Sequence, residues 1–279
     1  MLILHLFDNS YGILQIELIQ TGSIMIIKKC YSDINGDEKK QLLSKHRKYV
    51  TLSFDDGITQ DARFVEMLDK HGIMCTFNIN TGLLGNSGSL SYGDRVISHN
   101  KISEKNVSDG YYGAHEVAAH TLHHPLLPSL SDEEVVAEVS DDVKNIERLT
   151  GVKPTGMAYP CGGCNHDERV IKLLAENDLV KYARTIISTY DFKIPECFLR
   201  WNPTVWLFDE KLEELTSRFA EVSADSEDIV FYIWGHAYEF DFFDGAWDKY
   251  DKYFEKLVKN EDVVFVTNRV LYKLFGENI

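Results

Sequence analysis

From Lys48 onward, short runs rich in β-branched and aromatic residues alternate with longer stretches whose apolar positions recur at helical spacing. That alternation is the pattern of an α/β fold with a largely parallel sheet, because each buried strand is followed by a helix that packs back onto it. Residues 49–54 (YVTLSF) read as the first strand and run into Asp55-Asp56-Gly57, where the chain must turn. Residues 59–71 place Phe64 and Leu68 on one helical face, Gly72 ends that helix, and residues 73–79 (IMCTFNI) read as the next strand. Residues 83–100 are rich in Gly, Ser and Asn and read as a surface excursion. The strongest helix signal opens at Ser131, where Glu134 completes a capping box, and it runs to Thr150 with Gly151 as its stop. Further strands are expected over 155–159, 181–186, 229–234 and 263–266, with helices near 168–176, 211–222, 247–259 and 268–275.

If these strands close into a barrel, their C-terminal ends converge on one rim where loop residues can assemble a site. Asp55, Asp56, the segment from Tyr159 through Pro160 and Cys161 to Gly162, Arg184 and His236 all end or follow an expected strand. With 279 residues, 44% hydrophobic and 26% charged, the chain has the balance of one globular domain. Its formal net charge of -15 repels phosphate backbones and anionic headgroups, so neither nucleic acid nor a membrane surface is the expected partner. A neutral or cationic substrate fits better.

Five cysteines, Cys30, Cys75, Cys161, Cys164 and Cys197, form no disulfide framework, and Cys161-x-x-Cys164 lacks the second pair that a four-thiolate zinc site requires. Residues 1–27 are apolar in places, but Asp8, Glu17 and Gln20 interrupt them, and no basic leader precedes an apolar core. No export signal is therefore visible, a reducing, cytoplasmic location is favoured, and Met25-Ile-Ile-Lys-Lys reads as an alternative start. The oligomeric state is open.

Adjacent carboxylates such as Asp55 and Asp56 raise each other's pKa unless a cation or separate hydrogen bonds relieve them, although Asp-Asp-Gly is also a common polar turn. Consecutive strand residues face opposite ways, so the two can share a site only if the chain bends, and Gly57 permits that. His120 and His124, four apart, would lie on one face of a helical turn and could offer ring nitrogens to one ion at about 2.0–2.1 Å. Asp56, His120 and His124 then make a two-histidine, one-carboxylate set with positions left for water and substrate. Asp55, unligated beside it, is placed to take a proton from a water that the ion acidifies, and His236 after the flexible Gly235 could give one to a departing nitrogen. The same ligand set also suits Fe(II) in an oxygenase, and a catalytically silent sugar-binding module is a third reading.

Ser53-Phe54-Asp55-Asp56-Gly57 and His120-Thr121-x-x-His124 resemble, in order and spacing, the first two motifs of the polysaccharide deacetylase family, also called carbohydrate esterase family four or the NodB-homology domain. The resemblance implies a distorted (β/α) barrel of about seven strands, with residues 1–47 as an N-terminal extension packed on it and 48–279 as a single catalytic domain. It implies removal of N-acetyl, or O-acetyl, groups from an amino sugar, oligosaccharide or polysaccharide, and it also admits a hydrolase of non-sugar amides. It assigns Asp55 as base and Asp56, His120 and His124 as ligands of one divalent ion, Zn2+ first, with Co2+, Ni2+ or Mn2+ as alternatives. Ile233-Trp234-Gly235-His236 is similar to the last motif, whose histidine is the general acid. Residues 157–162 (MAYPCG) occupy the third motif, with Ala158 where an arginine often stands. Arg184 is then expected to supply the missing charge beside Asp55. Tyr159, Pro160, Cys161, Gly162, Trp234 and Tyr238 are expected to meet substrate, and Trp201 and Trp206 are further candidates to stack on sugar rings.

Overall fold

The computed structural model describes residues 30–31, 33–45, 48–223 and 227–277. The 1–27 stretch and the alternative start at Met25 lie outside the described residues. In chain order the elements are β1 (Cys30–Tyr31), α1 (Gly36–Lys45), β2 (Lys48–Asp55), α2 (Asp61–His71), β3 (Thr76–Ile79), β4 (Ser89–Tyr92), β5 (Arg95–Ser98), α3 (Glu104–Ser108) and β6 (Glu116–Ala119). They continue with α4 (Asp132–Thr150), β7 (Gly156–Ala158), α5 (Glu168–Glu176), β8 (Tyr182–Arg184), β9 (Val205–Trp206), α6 (Leu212–Glu221) and β10 (Ile229–Gly235). The last are α7 (Glu239–Phe242), α8 (Ala246–Leu257), β11 (Val263–Val266) and α9 (Asn268–Leu271).

Strand β2 is the centre of the sheet. It pairs in parallel with β10 along one side, from Lys48↔Ile229 to Phe54↔Gly235, and on the other side with β11 at its start and β3 at its end. The sheet runs on from β3 through β6 and β7 to β8, and β10 pairs with β9. Trp201 N donates to Ala183 O (3.0 Å), Thr185 N to Trp201 O (3.0 Å) and Thr204 N to Tyr232 O (2.9 Å), which carries the wall from β8 round towards β10. Seven parallel strands, β2, β3 and β6 to β10, thus curl into a distorted (β/α) barrel. The distortion follows from the two or three residues that β7, β8 and β9 contribute.

All eight residues of β2 are buried, which explains why its sequence does not alternate cleanly between apolar and polar. The pleat nonetheless sorts them. Val50, Leu52 and Phe54 join the layer packed under the helices, while Tyr49 joins Tyr182, Trp201 and Tyr232 in a second cluster. Thr51, Ser53 and Asp55 share the face of Tyr49, so the strand leads a polar row up to the rim. At the foot of β7, a Cβ on Gly156 would lie 2.3 Å from the Tyr182 ring, so only glycine lets that ring fill its place.

The helix expected over 59–71 forms at Asp61–His71, ended by Gly72 at φ 64°, and the one expected from Ser131 to Thr150 forms at Asp132–Thr150, opened by the reciprocal Ser131–Glu134 capping box. The elements β1, α1, α3, β4, β5, β6, β9 and α7 were not expected from the sequence. Strand β6 gives little apolar signal because Glu116 is buried within it, accepting hydrogen bonds from Thr76 Oγ1 (2.9 Å), Tyr182 OH (2.8 Å) and Arg269 N (2.9 Å). The expected excursion at 83–100 contains the antiparallel hairpin β4–β5. Among the described residues no helix is long and apolar enough to cross a membrane.

Candidate active site

The C-terminal strand ends surround a cavity of about 610 Å³ lined by Asp55, Asp56, His120, His124, Tyr159, Cys161, Gly162, Trp234, His236 and Tyr238, among others. Asp55 closes β2, and Asp56 follows in a left-handed conformation, φ 86°, with Gly57 at φ 60°. A left-handed aspartate is strained, and the strain is held by Asp56 N donating to Asn78 O (2.9 Å). This is the bend that lets both carboxylates face one cavity.

His120 follows β6 directly, and the loop after it is not helical. Thr121 and His124 have φ of 66° and 60°, and His124 N donates to Thr121 Oγ1 (3.1 Å). The histidines are therefore brought together by a tight turn rather than by helical periodicity, with ring centroids 4.9 Å apart. Nε2 of His120 lies 3.9 Å and Nε2 of His124 3.6 Å from Asp56 Oδ1. The three ligand atoms all lie within 4.8 Å of one another.

The donor set fits a divalent cation. Two ligands on a tetrahedral ion at zinc distances sit roughly 3.3 Å apart, so the separations of 3.9 and 3.6 Å from Asp56 Oδ1 must shorten for the three to share one ion. His120 Nδ1–H donates to Ala158 O (2.8 Å), which leaves the Nε2 lone pair pointing at the site. Burial lowers the His120 pKa to about 4 against the pull of Asp55, and burial also lowers that of His124, so both rings are neutral and able to ligate. Burial opposes the charge on Asp56, but the His99 hydrogen bond and Lys101 hold its carboxyl well below the usual range.

Arg184, at the end of β8 and fully buried, donates from Nη2 to Asp55 Oδ2 and stacks 4.6 Å over the Trp234 ring. It stands where the charge missing at Ala158 was expected. Asn78 Nδ2 donates to Asp55 Oδ1 (2.8 Å) from the neighbouring strand. Burial would raise the Asp55 pKa, yet the charge and hydrogen bond of Arg184, with the charge of His236, keep it lowered, and the group is a carboxylate. His236 Nε2 faces Asp55 Oδ2 at 4.0 Å, while its Nδ1 donates to Glu239 Oε1 (3.1 Å). Burial works against protonation of His236, but Glu239, Asp56 and Asp55 outweigh it and raise the pKa to about 9. Asp241, the other carboxylate downstream, instead accepts from Trp247 Nε1 (2.9 Å) and Gln60 Nε2 (3.1 Å).

Some expected substrate contacts are not where the sequence put them. Trp201 is 2% exposed and packs against Tyr182, Phe198 and Tyr232, so it is a core residue and no platform for a sugar. Trp206 spends its Nε1–H on Glu239, at 3.0 Å from each oxygen, and so braces the partner of His236. Pro160 is buried and does not line the cavity, whereas Tyr159, Cys161 and Gly162 do. Tyr238 lies over His236, ring centroids 4.8 Å apart and 27° inclined. His99, Lys101, Asn78, Asn80 and Asp142 were not foreseen. Only Asn78 left a trace, as a polar residue inside an apolar strand run. Asp142 of α4 accepts from Thr81 N (2.8 Å), Thr81 Oγ1 (2.6 Å) and His120 N (2.9 Å), and so pins the histidine turn from behind.

A parallel barrel whose C-terminal rim joins two histidines, two aspartates and an arginine narrows the class of protein, and comparison with known proteins completes the step. The family model described as polysaccharide deacetylase matches residues 43–181. The chitin deacetylase 1 of Cryptococcus neoformans is 30% identical over 46% of this chain and 24% of its own length. The peptidoglycan-N-acetylglucosamine deacetylase PgdA of Listeria monocytogenes is 27% identical over 66% of this chain and 38% of its own length. The crystal structure of a proposed polysaccharide deacetylase from Mycobacterium smegmatis shares the fold, with a TM-score of 0.57 at 14% identity over 84% of this chain and 92% of that one. The chain belongs to the polysaccharide deacetylase family. It spans well under half the length of the two curated relatives.

Proposed function

We propose that this protein is a metal-dependent hydrolase that removes acetyl groups from the amino sugars of a glycan. The observation that carries the reading is the placement of Asp55, salt-bridged to Arg184, beside a separate Asp56–His120–His124 ligand cluster and 4.0 Å from His236. Asp56, His120 and His124 would hold the ion, most simply Zn2+. A divalent ion there supplies Lewis acidity that polarises the acyl carbonyl and makes water acidic enough to attack near neutral pH.

The rest of the chemistry belongs to the chain. Asp55 stays ionised and receives the proton of the attacking water, while Arg184 and Asn78 fix its two oxygens. The backbone N–H of Cys161 donates to His124 Nε2 (3.5 Å), and an ion held on that nitrogen would free it to stabilise the developing oxyanion. His236, protonated at neutral pH and tethered to Glu239, donates its Nε2 proton to the departing amine nitrogen. Tyr238 and Trp234 supply the aromatic wall that a pyranose ring favours.

The test is acetate release from acetylated chitooligosaccharides, peptidoglycan fragments and acetylxylan, by chelator-stripped and zinc-reloaded protein. The reading requires zinc-dependent acetate from at least one N-acetylated glycan. Sugar binding without acetate, or oxygen-dependent turnover, would refute it.

A further inference from the structure

Lys101, just beyond the β4–β5 hairpin, is buried at 8% exposure. Its ammonium donates to three oxygens: Asp56 O (2.7 Å), Asp56 Oδ1 (3.3 Å) and Asn80 Oδ1 (3.1 Å). Asn80 Nδ2 in turn donates to His120 O (2.5 Å) and Thr121 O (3.1 Å). One cation thus ties the Asp56 turn to the His120 turn. Its segment lies against the Asp56 turn like an added strand, with Ile102 N donating to Gly57 O (3.0 Å) and Thr59 N to Asn100 O (2.8 Å). His99 Nε2 donates to the other carboxylate oxygen, Asp56 Oδ2, at 3.0 Å. The oxygen left for His120 and His124, Oδ1, is the one that Lys101 already contacts.

We infer that Lys101 is a built-in counter-cation, which neutralises Asp56 before an ion arrives and opposes the ion once it binds. The inference rests on the ligand set proposed above. A buried carboxylate without a partner charge is costly, so a site that must persist without its ion needs another cation. Lys101 fills that need and also sets the spacing of the two ligand turns. Once a divalent ion sits on Oδ1, like charges lie a few ångströms apart at low effective dielectric, where their repulsion exceeds a factor of about ten in binding. Lys101 is therefore a positioning residue whose charge weakens the metal and keeps it exchangeable.

Lys101→Gln removes the charge and keeps a donor within reach of Asp56 O, whereas Lys101→Arg keeps the charge. Zinc affinity is read by competition with a chelator, and thermal stability is read with and without zinc. The wild type is expected to bind one zinc that His120→Ala loses. Lys101→Gln is expected to bind zinc at least about tenfold more tightly while melting lower without zinc, so the gap between loaded and stripped proteins widens. Lys101→Arg is expected to stay near the wild-type affinity. A Gln variant that folds only with zinc present is the same result at its limit. Unchanged or weaker zinc binding in Lys101→Gln, or tightening in Lys101→Arg, would overturn the inference alone. Zinc retained in His120→Ala would overturn the ligand assignment with it.

Discussion

The two aspartates of the Asp-Asp-Gly turn are chemically identical and differ only in what surrounds them. Asp55 is claimed by Arg184 and Asn78, whereas Asp56 Oδ1 faces two neutral imidazoles with the Lys101 ammonium beside it. The proposed base and ligand roles rest on that division. Asp55→Asn is accordingly expected to keep stoichiometric zinc, measured by elemental analysis, while deacetylation falls by about 10²–10⁴-fold. Loss of the zinc would show that Asp55 is a ligand. The pKa of His236 gives a second expectation at this scale. A general acid must be protonated, so kcat/KM for an N-acetyl substrate should fall as pH rises through about 9, or lower where a bound dication depresses the ring further. His236→Ala should abolish that alkaline limb and slow release of an amine more than release of an activated aryl alcohol. Equal losses on both substrates would count against the role.

At the scale of elements, legibility depended on whether a residue's job is local. Ser131, Glu134 and Gly151 act on their own helix, and their signals matched the observed α4 in full. Asp55, Asp56 and His236 sit where apolar strands stop, so the run of hydrophobic residues pointed at them. Lys101, Asn80 and Asp142 act across the fold, and nothing in their own neighbourhoods marks them as buried. Strand β6 was missed for a related reason, since its buried Glu116 is satisfied by partners distant in sequence. The histidine pair was found through the wrong geometry: spacing of four suits a helix, but here a left-handed turn delivers it. The two kinds of residue on α4 should separate on substitution. Ser131→Ala should cost about 1 kcal/mol in denaturant unfolding and leave zinc affinity unchanged. Asp142→Ala removes the acceptor of Thr81 N and Thr81 Oγ1 and one of the two acceptors of His120 N, so it should cost about 2–4 kcal/mol and weaken zinc as well. Equal zinc affinity in the two variants would mean that Asp142 does not hold the histidine turn.

For the molecule as a whole, the barrel explains why so short a list of residues makes a site. Parallel strands deliver their C-terminal ends to one rim, so β2, β6, β8 and β10 each contribute one or two groups without any long reach. A polar row of Thr51, Ser53 and Asp55 on β2, joined by Asn78 on β3, continues below the rim as a hydrogen-bonded interior. The net charge of -15 gives the chain as a whole a field that attracts cations.

The central claim is that one ion is gripped by Asp56, His120 and His124, with Asp55 free beside it. Anomalous diffraction at the zinc edge from zinc-soaked crystals tests it most directly. The account predicts a single strong peak about 2 Å from Asp56 Oδ1 and from both Nε2 atoms, with Asp55 still paired to Arg184. A peak elsewhere, or one coordinated by Asp55, would contradict it.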